Sequence, residues 1–277
     1  MHGIEILHGI FRVLEEQEFL DNPAYNLGGV VAALNDAQGR VGEYMRRCDS
    51  GFWEYQSDVA LAAGVVSYEL PWFVQSLRSI VTESGLQIWD QKGLRTGYGM
   101  RFAHDRLWFD TALTKAETWT LRYVRQPWPA RYGTLSTQGA GTSGTVIQVP
   151  VPSYSEKRVI DCLGYEGSSG VPGMGFGILE ETTVVRQALI TAYAPATWLL
   201  TVDTALSPVA ASGDRFLIME NWPELWATLL VYETALALPD GPKIVGGRYA
   251  GAYEAAMRAG RERNSGVTRQ VQCDPEN

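Results

Sequence analysis

Residues 222–263 constrain the fold more than any other stretch, because they contain the longest regular periodicity in the chain. Their apolar residues recur at the spacing of one helical face, and only Glu233 interrupts the stripe. Pro223 is compatible with the first helical turn, whereas the two prolines within residues 238–242 must end the helix. A second helix is predicted to begin near Gly247. The segment is therefore predicted to form a helix, a Pro/Gly corner and another helix.

These two helices are predicted to pack through large aromatic and aliphatic side chains. Ala252 and Ala256 leave room for a neighbouring helix, and tyrosine hydroxyls can reach a polar rim while the rings stay buried. The predicted core residues are Trp222, Leu225, Trp226, Leu229, Tyr249 and Tyr253.

Two further helices are predicted near the start of the chain, over residues 4–20 and 27–48, where apolar residues again follow a helical period. Helices at both ends of the chain suggest that the N-terminal and C-terminal helices pack against each other. The sequence therefore predicts an α+β fold, in which a helical bundle formed by the N- and C-terminal helices carries a large β-rich insertion. The predicted bounds are 1–55 and 222–263 for the bundle, 56–221 for the insertion, and 264–277 for an extended C-terminal arm.

The middle of the chain alternates β-branched or aromatic runs with turn residues, which is typical of strands. Strands are predicted over residues 65–71, 86–89, 119–124, 145–151, 199–202 and 215–219. Two glycine-rich stretches, residues 132–144 and 164–177, are predicted to be mobile loops. The second one lacks the Lys-Ser or Lys-Thr ending of a phosphate-binding loop, so phosphate binding is not expected.

Charge is distributed unevenly along the chain. The net charge of −8 argues against general nucleic-acid binding, which draws most of its affinity from cationic contacts with phosphates. Residues 243–269 hold six basic and two acidic residues, or +4, which leaves −12 for the remainder. The six cations are Lys243, Arg248, Arg258, Arg261, Arg263 and Arg269. They are predicted either to dock on an acidic partner or to form an ordinary solvated helix face.

Catalytic and metal-binding motifs are missing from the sequence. The 3 cysteines and 3 histidines do not follow ligand spacing, and no GxSxG nucleophile motif occurs. Glu180 and Glu181 could serve glycoside hydrolysis, but surface carboxylates are the simpler interpretation. No apolar run approaches the roughly 20 residues that span a bilayer. We therefore expect no enzyme, no cofactor, no metal and no membrane partner.

The 9 tryptophans permit two interpretations. They could form a platform on which sugar rings stack, or they could fill cores and subunit interfaces, as large aromatics usually do. The sequence leaves both interpretations open.

The order of these segments resembles the head-to-tail adaptor (connector) proteins of tailed bacteriophages. The resemblance depends on residues 68–74 leading to Ile80, on residues 119–127 and 212–218, and on the closing helices of residues 222–263. The resemblance in the order of elements extends over most of the chain, and the motifs that support it are short. The β insertion is larger than in compact members of that family, and the two glycine-rich stretches have no counterpart there.

The resemblance implies a structural protein of the virion neck, assembled in the host cytoplasm, that forms a twelve-fold ring below the portal and extends the DNA channel. The implied partners are further copies of the chain, the portal protein, a tail or nozzle protein, and genomic DNA passing without sequence-specific binding. Residues 266–277 would reach into the portal, and the six cations would lie near the portal contact. The alternatives are a carbohydrate-binding or glycan-degrading virion module and another tail-completion or baseplate component.

Overall fold

A computed structural model describes residues 3–15, 24–47, 54–69, 74–90, 93–94, 99–103, 106–135, 144–150, 174–179, 186–194 and 197–272. Within these ranges the chain forms five helices and three antiparallel sheets. It divides into two compact units. The discontinuous unit comprises Met1–Cys48 and Trp128–Asn277, and the continuous unit comprises Asp49–Pro127. Each is taken by itself below.

All five described helices belong to the discontinuous unit. They are α1 (Gly3–Val13), α2 (Leu27–Arg47), α3 (Glu224–Leu236), α4 (Gly241–Gly247) and α5 (Ala250–Gln272). Helix α3 contacts each of the other four. Its buried residues, Trp226, Ala227, Leu229, Leu230, Val231, Thr234 and Ala235, lie on several sides of the helix. A helix that is apolar around its circumference requires neighbours all round, so α3 is the core helix of this unit.

A six-stranded sheet completes the discontinuous unit, in the order β10-β13-β12-β11-β14-β9. Its strands are β9 (Arg131–Thr134), β10 (Val146–Gln148), β11 (Met174–Ile178), β12 (Arg186–Ala194), β13 (Leu199–Val202) and β14 (Arg215–Glu220). Helix α1 packs on β11 and β14. A Cβ atom added to Gly177 would lie 2.8 Å from Ile4 Cγ1, so glycine is what allows the helix to approach this strand.

The continuous unit contains the other two sheets, with strand orders β1-β8-β3-β4-β5 and β2-β7-β6. The strands are β1 (Glu54–Leu61), β2 (Ser67–Glu69), β3 (Val74–Val81), β4 (Gln87–Asp90), β5 (Gly93–Leu94), β6 (Met100–Ala103), β7 (Arg106–Phe109) and β8 (Glu117–Arg125). Along β8, Trp119, Leu121 and Tyr123 are buried while Thr118 and Arg122 are exposed. This strand therefore has the predicted alternation as far as Tyr123, and Val124 and Arg125 beyond it are buried as well.

The prediction of a helical bundle formed by the N- and C-terminal helices was wrong. The described residues form 14 strands in three antiparallel sheets against five helices, and the helices share their unit with a six-stranded sheet. The apolar face of α1 packs against β11 and β14 as well as α3. Helical periodicity reveals that a helix has an apolar face, but it does not reveal whether a helix or a sheet covers that face.

The glycine-rich stretch of residues 164–177 also required correction. Met174 to Gly177 lie in β11, every residue of which is buried, and the strand pairs with β12 and β14 on its two sides. Residues 164–173 lie outside the described residues. Similarly, residues 132–134 of the other predicted loop belong to β9, which pairs with β14. Glycine here serves close packing rather than loop mobility.

The predicted corner after α3 contains an additional helix. The chain turns at Asp240, whose φ of 59° is left-handed, and α4 begins at Gly241. The second long helix therefore begins at Ala250 rather than near Gly247. Residues 264–272 of the predicted arm continue α5 as helix, and residues 273–277 lie outside the described residues.

Several local predictions were confirmed. Helix α2 occupies Leu27–Arg47 and β13 occupies Leu199–Val202, as the sequence indicated. The turn before β14 contains Gly213 with a φ of 90°, a conformation that glycine adopts readily.

Candidate docking site on the C-terminal helix

An open concavity of about 340 Å³ lies on helix α5. Its lining residues recur one turn apart along one face of the helix. They are Tyr253, Glu254, Met257, Arg258 and Arg261. The lining side chains therefore lie on one face of the helix, where a thioether and a phenol ring lie among three charged side chains.

Small residues on the opposite side of α5 fix its position against α3. Ala256 is 8% exposed, and a Cβ atom on Gly260 would lie 2.9 Å from Trp226 Cη2. The Trp226 ring in turn meets the Tyr44 ring of α2 edge to face, with centroids 5.9 Å apart. Helices α2, α3 and α5 therefore meet at this point.

Glu233 of α3 connects the same three helices through its polar groups. Its Oε1 atom accepts a hydrogen bond of 2.7 Å from the Tyr253 hydroxyl, and its Oε2 atom lies 3.3 Å from Arg40 Nε. Arg40 also donates to the Glu233 carbonyl oxygen at 3.2 Å. Burial, followed by the hydrogen bond to Glu233 and its negative charge, raises the pKa of Tyr253 to about 12. The phenol therefore stays protonated at neutral pH and holds its ring in the wall of the concavity.

Tyr44 of α2 performs a similar task at the other end of the site. Its hydroxyl donates to the Met257 carbonyl oxygen at 3.2 Å and accepts a 3.0 Å hydrogen bond from Arg261 Nε. One hydroxyl thus uses its donor and an acceptor position at once. The Arg261 guanidinium is held in place while its remaining N–H groups stay available.

The six predicted partner-binding cations do not form one patch. Lys243 pairs with Asp240 at 3.2 Å, and Arg248 pairs with Glu15, so both are matched within the chain. Arg258 and Arg261 line the concavity. The side chains of Arg263 and Arg269 lie outside the described residues.

The predicted core residues lie at the centre of the unit and at the rim of the site. Trp222, Trp226 and Leu229 are at most 4% exposed, whereas Leu225, Tyr249 and Tyr253 are half-buried. The Tyr232 ring lies 6.0 Å from the ring of Tyr249 and 6.2 Å from that of Tyr253.

Sequence reasoning did not assign Tyr44, Arg40 or Met257 to a site. Glu233 stands out in the sequence only because it interrupts the apolar stripe of α3. A charged residue in an apolar helical face was the one signal that could have pointed to this network, since a half-buried carboxylate requires partners.

The other sequence candidates offer no comparable geometry. Trp119 and Trp128 are 0% exposed and Trp222 is 1% exposed, so a sugar ring cannot reach these indoles. Glu180 and Glu181 lie outside the described residues, as do Cys48, Cys162 and Cys273. Within the part of the chain that the structure describes, no group of three or more His, Cys, Asp or Glu side chains is arranged to hold a metal ion.

No described helix combines the length and the apolar character that crossing a bilayer requires. No protein-family model matches the chain, and a search of curated proteins finds no match either.

Proposed function

We propose that this chain is a structural protein of a tailed-bacteriophage virion, a head-to-tail adaptor that works as a ring subunit below the portal. It acts by assembly and carries out no chemical step. The order of its segments supports this role, although the bundle that the resemblance implied is replaced by helices packed with a sheet.

The observation that carries the proposal is the anchoring of α5. This 23-residue helix is fixed to α2 and α3 through Tyr44, Trp226 and Glu233, and beside these contacts it forms an open concavity lined by two arginines and one glutamate. A rigid helix that presents such a face suits docking to a partner better than catalysis, because the Tyr253 hydroxyl is already donated to Glu233.

The electrostatics of the chain agree with an adaptor role. A ring subunit requires two different surfaces that meet head to tail in successive copies. A net charge of −8 also prevents the ring from gripping the phosphates of passing DNA, since each strong cationic contact would retard its passage.

Electron microscopy of the native particle, classified by rotational symmetry, tests the proposal. The expected result is a twelve-fold ring between capsid and tail, with α5 directed to the portal. A trimeric or monomeric chain, or a position at the baseplate, would assign it to another virion component.

A truncation separates docking from folding. Removal of residues 266–277 is expected to leave the chain folded, since the described contacts of α5 with α2 and α3 precede these residues, but to abolish incorporation at the portal. Normal docking of the truncated chain would show that the C-terminal segment is not the docking arm.

A further inference from the structure

We propose that the concavity on α5 binds an acidic segment of the partner protein, with one apolar side chain placed over Met257 and carboxylates placed against Arg258 and Arg261. The inference rests on the proposed assembly function, and it names the chemistry of the partner at that site.

The apolar part of the proposal follows from the walls of the concavity. Met257 and the Tyr253 ring are both half-buried and provide an apolar surface between charged groups. Methionine adapts its shape to different apolar partners, which suits a docking surface. Covering this surface with a leucine or aromatic side chain would remove apolar area from water on both sides.

The charged part follows from the placement of the arginines. Arg258 and Arg261 are both exposed, and among the described residues Arg261 is held through its Nε atom, so the terminal nitrogens of both guanidinium groups can form paired hydrogen bonds with carboxylates. A surface segment with glutamate or aspartate on one side of an apolar residue matches this arrangement.

Glu254 gives the site a direction. It lies one helical turn before Arg258, so the end of the concavity nearest the start of α5 is negative and the other end is positive. Carboxylates of the bound segment are therefore excluded from the Glu254 end. The segment is expected to bind in one orientation, because the reverse would place like charges together.

The site is preorganised. The Tyr44 hydroxyl holds Arg261, and Glu233 holds Tyr253, so these side chains lose little freedom when a partner binds. A protein partner is favoured over nucleic acid, because two guanidinium groups beside Glu254 on a chain of net charge −8 neutralise few phosphates.

The test is fluorescence anisotropy with the full-length chain and labelled peptides of about twelve residues. The acidic probe has one leucine with glutamates on one side of it only, the neutral probe has glutamine in their place, and the basic probe has lysine. A labelled single-stranded oligonucleotide serves as the nucleic-acid probe. Wild type is expected to prefer the acidic peptide, with affinity that falls as salt is added.

Charge reversal locates the binding site. Two exposed ion pairs of up to about 1 kcal/mol each predict a loss of affinity for the acidic peptide of up to about thirtyfold in Arg258→Glu/Arg261→Glu. The basic peptide is expected to bind this variant better than it binds wild type, which a purely structural role would not produce. The single variant Arg258→Glu changes only an exposed side chain, so a loss of binding in it is not explained by misfolding. Arg122→Glu changes an exposed arginine of β8, outside the site, and is the matched control.

Equal binding of the acidic and neutral peptides, an unchanged affinity in the double variant, or preferential binding of the oligonucleotide would overturn the inference. A ring seen in the particle without acidic-peptide binding would refute this inference and keep the adaptor proposal. Specific binding of the acidic peptide by a chain that lies elsewhere in the virion would support this inference and refute the adaptor proposal.

Discussion

The Tyr253 hydroxyl donates a 2.7 Å hydrogen bond to Glu233 Oε1 and so joins the C-terminal helix to the core helix. Glu233 is the one residue that interrupts the apolar stripe of the core helix in the sequence. It also pairs with Arg40 of α2, so a single carboxylate connects three helices. This relationship explains why a charge is placed within an otherwise apolar face.

Replacing Glu233 with alanine is expected to lower the free energy of unfolding by about 1–3 kcal/mol, because it removes the acceptor of the Tyr253 hydroxyl and the ion pair of Arg40. Urea denaturation at neutral pH measures the loss. Glu254→Ala, an exposed position on α5, is the control and should change stability by less than about 0.5 kcal/mol. Equal effects of the two substitutions would show that the network does not stabilise the unit.

The raised pKa of Tyr253 predicts a change of stability at alkaline pH. Its folded-state value of about 12 exceeds the model-compound value of 10.0, so between these values the folded state binds more protons than the unfolded state. The contribution is fully present below pH 10.0 and is lost as pH rises through about 12. Urea titrations across this window should show a steeper loss for wild type than for Tyr253→Phe. Parallel slopes would mean that the environment does not favour the protonated phenol.

Gly177→Ala is expected to destabilise the discontinuous unit by about 1–3 kcal/mol, because its Cβ atom would lie 2.8 Å from Ile4 Cγ1 in a buried contact. In an Ile4→Ala background the same methyl group has space, so its cost should fall by at least about 1 kcal/mol. A double-mutant cycle monitored by urea denaturation measures this coupling. Strict additivity would contradict the proposed close approach of α1 to β11.

Gly39→Ala supplies the matched control for glycine substitution. Nothing lies within 4 Å of a Cβ atom built there, and the residue is in the interior of α2. Alanine should therefore stabilise the chain by about 0.5–1 kcal/mol. A destabilising effect would indicate that the exposed face of α2 is constrained.

Asp214→Ala is expected to cost about 2–4 kcal/mol. Its carboxylate lies 3.2 Å from the NH2 nitrogen of Arg186, whose side chain is 6% exposed, and it also accepts a 2.9 Å hydrogen bond from the Ala211 amide. Loss of the carboxylate leaves a buried charge less well compensated. Thermal or urea unfolding measures the effect. The control is Lys243→Ala, which breaks an exposed ion pair and should cost under about 1 kcal/mol. A comparable cost for Asp214→Ala and Lys243→Ala would refute the role of burial.

The sequence by itself determined the local elements. Helical periodicity placed α2 and α3 within a few residues of their observed bounds, and turn residues such as Gly213 marked the start of β14. These signals succeeded because the period of a helix and the backbone demands of a turn are expressed within a few neighbouring residues. They also placed Arg258 and Arg261 on one helical face.

Only the tertiary structure decided what each face packs against. The predicted bundle failed because an apolar stripe fits a sheet as well as a helix. Residues 174–177 lie in a buried strand that pairs with β12 and β14, and Gly177 allows α1 to approach it. The partners of the charged residues were equally hidden, since 193 positions separate Arg40 from Glu233 and 233 separate Glu15 from Arg248. Contacts between such distant residues depend on how the whole chain packs, and no local pattern encodes them.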